Sequence, residues 1–356
     1  MNRLLQKITF LTALLCPALY ASAQDIHFSQ FYENATLRNP ALVGVFSGDY
    51  KICANYRNQW SSFGAAFQTA MVNGETRVLM AQNTGDYMSF GLCAFYDKAG
   101  SIDFTNTGAY GSVSYNKALG DASYSYLTIG IGAGYLQRSM NPSKMRFANQ
   151  YVGGNYSASN PTGENINSNK VSSLDASGGI SLNSSIGWNV NYYLGAAAYH
   201  LSKPRQNYLA EGNINFSTRW TVSGGIQAAL QQNLGLICEV NYQKQEPYEE
   251  LIGGAMIRYL LNRTGDDNVS KLKLYLGCYY RVQDAVIPTI KMDYHNWSIT
   301  VSYDVSIGKE RIYLGAMGGY EMSLMIRGFN KINGRARDII VSPRFELEDD
   351  PARNPF

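Results

Sequence analysis

Charge is scarce in this 356-residue chain: Asp, Glu, Lys and Arg make up only 16% of it, against about 25% in an average soluble domain. Net charge is +3, and removing residues 1–23, which hold Arg3 and Lys7 and no acid, lowers it by two. Such a near-neutral chain has no general electrostatic reason to bind nucleic acid. Histidine is nearly absent. The 3 present, His27, His200 and His295, stand far apart and outside any HExxH or H-x-E pattern. Of 5 cysteines, Cys16 lies in the leader, and Cys53, Cys93, Cys238 and Cys278 match no zinc spacing. Each sits singly in a strand-like segment and is expected to be an isolated thiol. No P-loop, no Gly-x-Ser-x-Gly elbow and no helical period of useful length occurs. What abounds is apolar, aromatic and small: 45% hydrophobic residues, 27 Tyr and 34 Gly. That composition excludes disorder, and the missing Gly-X-Y period excludes collagen.

Residues 1–23 read as a secretory signal peptide, with Arg3 and Lys7 at the start, Ile8 to Leu15 apolar, and Ala21-Ser22-Ala23 as cleavage site. Leu15 before Cys16 argues against a lipoprotein leader, which wants a small residue there. Gln24 then begins the mature chain. Beyond residue 23 no apolar run approaches the roughly 20 residues of a spanning helix. An exported chain of this kind is either soluble or crosses an outer membrane as a closed barrel.

Period-two alternation runs through the mature chain. In 272–281, Leu272, Leu274, Leu276, Cys278 and Tyr280 oppose Lys273, Tyr275, Gly277, Tyr279 and Arg281. In 320–327, Tyr320, Met322, Leu324 and Ile326 oppose Glu321, Ser323, Met325 and Arg327. A soluble sandwich alternates as well. These segments, however, are longer than the ~5–6 residues of ordinary strands, and aromatics gather at Tyr56–Trp60, Tyr192–Tyr193, Tyr242, Tyr279–Tyr280 and Trp297. The expected fold is all-β, a transmembrane antiparallel outer-membrane β-barrel. Strands are expected near 49–57, 65–80, 87–96, 103–116, 125–137, 170–182, 186–199, 215–230, 234–243, 250–262, 269–282, 285–293, 296–304 and 315–327. That makes about 14 strands, an even number, as single-chain outer-membrane barrels require. Short connections then fall on one side and the long ones, 138–169, 200–214 and 305–314, on the other, as periplasmic turns and outer loops do. The division is a signal peptide 1–23, a periplasmic N-terminal segment or plug 24–48, a barrel 49–327 and a periplasmic C-terminal tail 328–356. Loop 138–169, with seven Asn, is expected to need no structure of its own.

No catalytic, metal or cofactor residues are expected, and the chain does not read as an enzyme. GIGAGY (130–135) lacks the helix a dinucleotide fold requires, and its glycines more simply let the wall curve or the lumen clear. Glu249-Glu250 reads as a loop pair pointing opposite ways, unsuited to a shared proton. Charges near the outer strand ends, namely Arg57, Asp97, Lys98, Arg205, Arg281, Asp284 and Asp304, either pair inside the lumen or form a polar rim that receives a protein partner. Phe28, Phe31 and Tyr32 stand among polar residues at the mature start, and are read as a plug in the periplasmic mouth or a docking site for a periplasmic partner.

Several stretches together resemble the PorP/SprF family: QDIHFSQFYENATLRNPALVG (24–44), NYRNQW (55–60), DKAG (97–100), AYHLSKPRQNY (198–208), YYRVQDAVIP (279–288), SYDVSIGK (302–309), GGYEMSL (318–324) and PRF (343–345). The chain departs from the pattern at Ala35-Thr36 after Asn34, and in continuing past PRF with ELEDDPARNPF. The resemblance implies an outer-membrane barrel of type IX protein secretion, helping to export or anchor a large surface adhesin by docking its C-terminal domain. It implies as partners that cargo, an OmpA-like peptidoglycan-binding lipoprotein and outer-membrane lipid, and it carries no cofactor. A small-solute or lipid-type channel is the alternative. A 14-stranded lumen is too narrow for a folded adhesin, since open aqueous channels begin at about 16–18 strands.

Overall fold

The structure is a computed structural model that describes residues 25–59, 67–81, 85–120, 125–163, 168–187, 189–206, 208, 214–261, 272–308 and 318–328. The expected leader 1–23, Trp60, most of the tail 328–356 and its PRF motif lie outside these residues. The strands are β1 (Tyr50–Gln59), β2 (Phe67–Ala81), β3 (Asp86–Ala99), β4 (Phe104–Ala118) and β5 (Tyr126–Ser139). A two-residue pair, β6 (Tyr151–Val152) and β7 (Asn155–Tyr156), follows. Then come β8 (Lys170–Ile186), β9 (Val190–Tyr199), β10 (Arg219–Gln231), β11 (Leu234–Gln245) and β12 (Tyr248–Leu261). The series ends with β13 (Leu272–Arg281), β14 (Ala285–Tyr294), β15 (Trp297–Ser306) and β16 (Gly319–Gly328). All except β6 and β7 form one closed antiparallel barrel, sealed where β1 pairs β16 from Tyr50↔Gly328 to Gln59↔Gly319.

The burial pattern is inside out. Along β13, Leu274, Leu276 and Tyr280 are exposed while Tyr275, Tyr279 and Arg281 are buried. A sandwich turns its apolar faces toward each other; here Leu92, Ile131 and Leu276 point outward at 64–66% exposure. Such a surface is stable only against lipid, so the chain is an outer-membrane β-barrel. No helix among the described residues is long and apolar enough to cross a membrane.

One end holds the short connections Ile186 to Val190, Gln231 to Leu234 and Tyr294 to Trp297, together with the start of β1 and the end of β16; the other holds the tight turns Ala99 to Phe104, Gln245 to Tyr248 and Arg281 to Ala285. The long connections 140–169 and 200–218 also lie at this second end. By the habit of such barrels the first end is periplasmic and the second faces the cell exterior.

Tyr193 and Tyr279 are 4% and 1% exposed and face the lumen, because neighbours of outward Tyr192 and Tyr280 must point inward. Two expectations need correcting. Loop 138–169 has structure of its own: 3-10 turns at Pro142–Lys144 and Ala148–Gln150, then the β6–β7 pair. Side chains hold these turns, with Ser143 N–H donating to Asn141 Oδ1 and Phe147 N–H to Gln150 Oε1. Glu249 and Glu250 belong to β12 rather than a loop, yet still point apart: Tyr242 donates to Glu249, Gln243 to Glu250.

Candidate functional site

Residues 25–48 run through the lumen. They form no sheet with the wall; from Ser29 to Gly44 the chain is mostly turn and short helix, at Phe31–Glu33, Ala35–Arg38 and Pro40–Leu42. Buried backbone groups without a ladder need other partners, and the wall's side chains supply them. Tyr199 Oη donates to Thr36 O, Arg219 to Leu37 O, Thr221 to Arg38 O, Ser181 to Ala41 O, Ser114 to Val43 O and Arg77 to Phe46 O. All these donors sit on inward positions of alternating strands.

The outer half of the segment is held by charge. Ser29 Oγ donates to Asp304 at 2.7 Å and accepts from Arg281 Nη2 at 2.6 Å. The N–H groups of Ser29 and Gln30 both donate to the Glu321 carboxylate, at 2.7 and 3.0 Å. Arg57 bridges from Asp304, at 2.9 Å, to the His27 carbonyl, at 2.7 Å. A buried pair, Lys291 with Glu33 at 3.0 Å, follows. At the far end Asp25 lies between Arg219, at 2.9 Å, and His200 Nε2, at 3.1 Å. His200 Nδ1 is 2.8 Å from Asp175, close but off hydrogen-bond alignment, and the ring stacks on Phe216. Burial pushes this imidazole down, but the carboxylates of Asp175 and Asp25 outweigh it and hold the pKa above its ordinary value.

The inner half is held by shape. Asn39 Nδ2 donates to the carbonyls of Ile180 and Ala196 in β8 and β9, while its Oδ1 accepts from Ala41 N–H. The wall makes room with glycine. A Cβ on Gly130 would overlap the Pro40 carbonyl, one on Gly179 would overlap Asn39 Oδ1, and one on Gly195 would lie 2.7 Å from Asn39 Nδ2. The GIGAGY stretch thus clears the lumen at Gly130 for the Asn39-Pro40-Ala41 corner.

The aromatics of the mature start lie within the outer half, among its charges. Phe28 packs with Met71, Cys93, Phe95, Tyr110 and Phe216. Phe31 and Tyr32 pack on the opposite wall against Tyr279, edge-on and stacked respectively. The charged residues marked out from sequence separate into two groups. Arg57, Arg281 and Asp304, at 2–3% exposure, are brought together around Ser29. Asp284 joins them through Arg281 at 2.7 Å, half-exposed at the outer end. Asp97 instead accepts from Thr69, and Lys98 pairs with Asp103 in the β3–β4 turn. The Lys144 and Lys98 ammonium groups hold the Asp103 carboxyl below its usual range. Arg205 is exposed in the β9–β10 loop, its N–H on Ser173 Oγ. Sequence reasoning missed Asp25, Gln30, Asn39, Glu321, Lys291 and His200 as members. All six carried a signal: Asp25, Gln30 and Asn39 lie in the 24–44 stretch, His200 in the 198–208 stretch, and Glu321 and Lys291 on the polar side of alternating strands.

The separate motifs therefore meet in one place. The mature start touches the arginines of 55–60 and 279–288, the aspartate of 302–309, the glutamate of 318–324 and the histidine of 198–208. The sequence matches the family described as type IX secretion system membrane protein PorP/SprF over residues 21–325. The chain belongs to the PorP/SprF family. That span takes in the inserted segment and nearly all of the barrel, so this family member is an outer-membrane component of type IX secretion. Among curated proteins no sequence matches it significantly. Solved structures similar to it include the Ralstonia pickettii toluene transporter TbuX, at 10% identity, covering 83% of this chain and 93% of that one, with a TM-score of 0.49. A Pseudomonas aeruginosa FadL homologue shares 10% identity over 82% of this chain and 92% of its own, with a TM-score of 0.48.

Proposed function

We propose that this PorP/SprF barrel docks or anchors exported cargo at the outer membrane, and does not itself pass the cargo or act as an enzyme. The cargo is a large surface protein held through its C-terminal domain. The observation that carries this reading is the lumen filled by residues 25–48, fastened to the wall at both ends. A filled interior leaves the outer loops as the working surface, whereas a channel needs open space along the axis. The experiment is a deletion strain whose surface and medium proteins are compared with the parent by mass spectrometry. Loss of one surface protein is the expected result and identifies the client. Loss of all type IX cargo assigns a core role instead. An unchanged surface proteome, with the purified barrel conducting in planar bilayers, overturns the docking reading in favour of a channel.

A further inference from the structure

The inserted segment has a direction. Its last residues lie at the periplasmic end, where Asp49 N–H donates to Gly328 O and Arg77 N–H donates to Asp49 O. Gly44 N–H donates to Glu75, which pairs with Lys51 near the start of β1. Going back along the segment the anchors do not climb evenly, since Leu37 already meets Arg219 at the outer end of β10 and Glu33 meets Lys291 nearer the periplasmic end of β14, but the first residues are all held at the exterior end. Asn39 meets β8 and β9 midway along those strands. His27 meets Arg57, six residues beyond Lys51 and so about 20 Å higher on β1 at roughly 3.4 Å per residue. Ser29 meets Asp304 and Arg281 at the outer ends of β15 and β13. Asp25 meets Arg219, the first residue of β10, and His200, just past the end of β9.

We propose that the amino end of the mature protein is displayed at the cell-surface mouth of the barrel. Cleavage after Ala23 leaves one residue before Asp25, too short a length to return to the periplasm, about 3.5 Å of chain. Asp25 and His27 border an open cleft of about 180 Å³ whose other walls include Glu249, Glu250, Tyr248 and Asp284 of the outer hairpins. The amino end is thereby a part of the outward face and is withheld from any periplasmic partner. Three separate elements fix it there: the β9–β10 loop through His200, β10 through Arg219, and β8 through Asp175 behind His200. This inference is independent of what the barrel docks, since it concerns only which side of the membrane the chain begins on.

The test is an epitope flanked by Gly and Ser, inserted between Gln24 and Asp25 of the full-length protein and read by antibody on intact cells. The same epitope in the Gln283 turn serves as the outer reference, and in the Asn296 turn as the inner one. Heat-modifiable gel migration establishes for each variant that the barrel has folded. The expected result is staining of intact cells by the Gln24 and Gln283 insertions, with no gain when the outer membrane is permeabilised, and staining by the Asn296 insertion only after permeabilisation. If a folded Gln24 variant stains only after permeabilisation, or if the two references exchange behaviour, the proposal is overturned. Where the insertion prevents folding, Gln24→Cys with a membrane-impermeant thiol reagent gives the same two outcomes, because Cys53 and Cys93 are buried and Cys238 and Cys278 lie on the lipid face.

Discussion

The two halves of the inserted segment are held by different physics. From Asp25 to Glu33 the contacts are ionic and reach carboxylates and guanidinium groups that have left water. From Ala35 to Phe46 most are steric or between neutral groups: an asparagine side chain on strand carbonyls, a proline corner over a glycine, hydroxyls on peptide oxygens. Charge enters there at Arg38, 3.9 Å from Glu239, at Gly44 N–H on Glu75, and where Arg219 and Arg77 donate to the Leu37 and Phe46 carbonyls. Buried charges lose much when one partner is removed, because the other is left unpaired. Close-packed neutral contacts lose in proportion to the volume forced in or taken out. The outer half is thus sensitive to charge and pH, and the inner half to size.

The largest expected effect is at Asp304. Asp304→Ala removes the carboxylate shared by Ser29, Arg57 and Arg281, a loss of about 3–5 kcal/mol on the scale of a broken buried pair. It is read as a fall in the temperature at which the barrel loses its fast, folded gel migration. Arg57→Ala combined with Asp304→Ala should cost less than the sum of the two single variants, and strict additivity would show that the two groups do not act as a pair.

Size decides the next. Gly130→Ala drives a methyl group into the Pro40–Ala41 backbone and should destabilise by about 1–3 kcal/mol. Gly74→Ala, on the lipid face with open space around its Cβ position, should shift stability by no more than about 0.5 kcal/mol. Equal effects at the two glycines, in the same gel assay, would refute the close fit. Asn39→Ala strands the Ala41 N–H and should lower stability by about 1–3 kcal/mol.

The pH effect is smaller and confined to the outer half. His200 faces Asp25 and Asp175, with Arg219 on the far side of Asp25 and Arg138 stacked on the other face of Phe216. Its pKa is raised on folding, so its contribution is complete below the ordinary imidazole value near 6.5 and is lost as pH rises through the folded value. Hydrogen exchange at residues 25–30 should therefore speed up on the alkaline side while residues 39–44 stay protected. His200→Gln should abolish that difference. The least effect belongs to the lipid face, where Ile131→Val should leave the melting temperature within error, a change below about 0.5 kcal/mol.

Much of the wall was legible beforehand because its signal is local. Strand count, order and inward or outward parity follow from alternation within about ten residues, as at Leu274, Leu276 and Tyr280 against Tyr275 and Tyr279. The boundaries shifted by a few residues, β10 starting at Arg219 rather than near 215. The site was legible only in part. Arg57, Arg281 and Asp304 stood out as charges in an apolar chain, but nothing in their spacing named Ser29, which is 275 positions from Asp304. Period and composition sufficed to make a closed barrel with an apolar exterior, since a strand's two faces sort by polarity wherever one meets lipid. Closure alone decided which inward groups meet across the lumen, and in which direction the amino-terminal segment runs among them. Those contacts join residues far apart in the chain, and only a three-dimensional ring brings them within hydrogen-bonding reach.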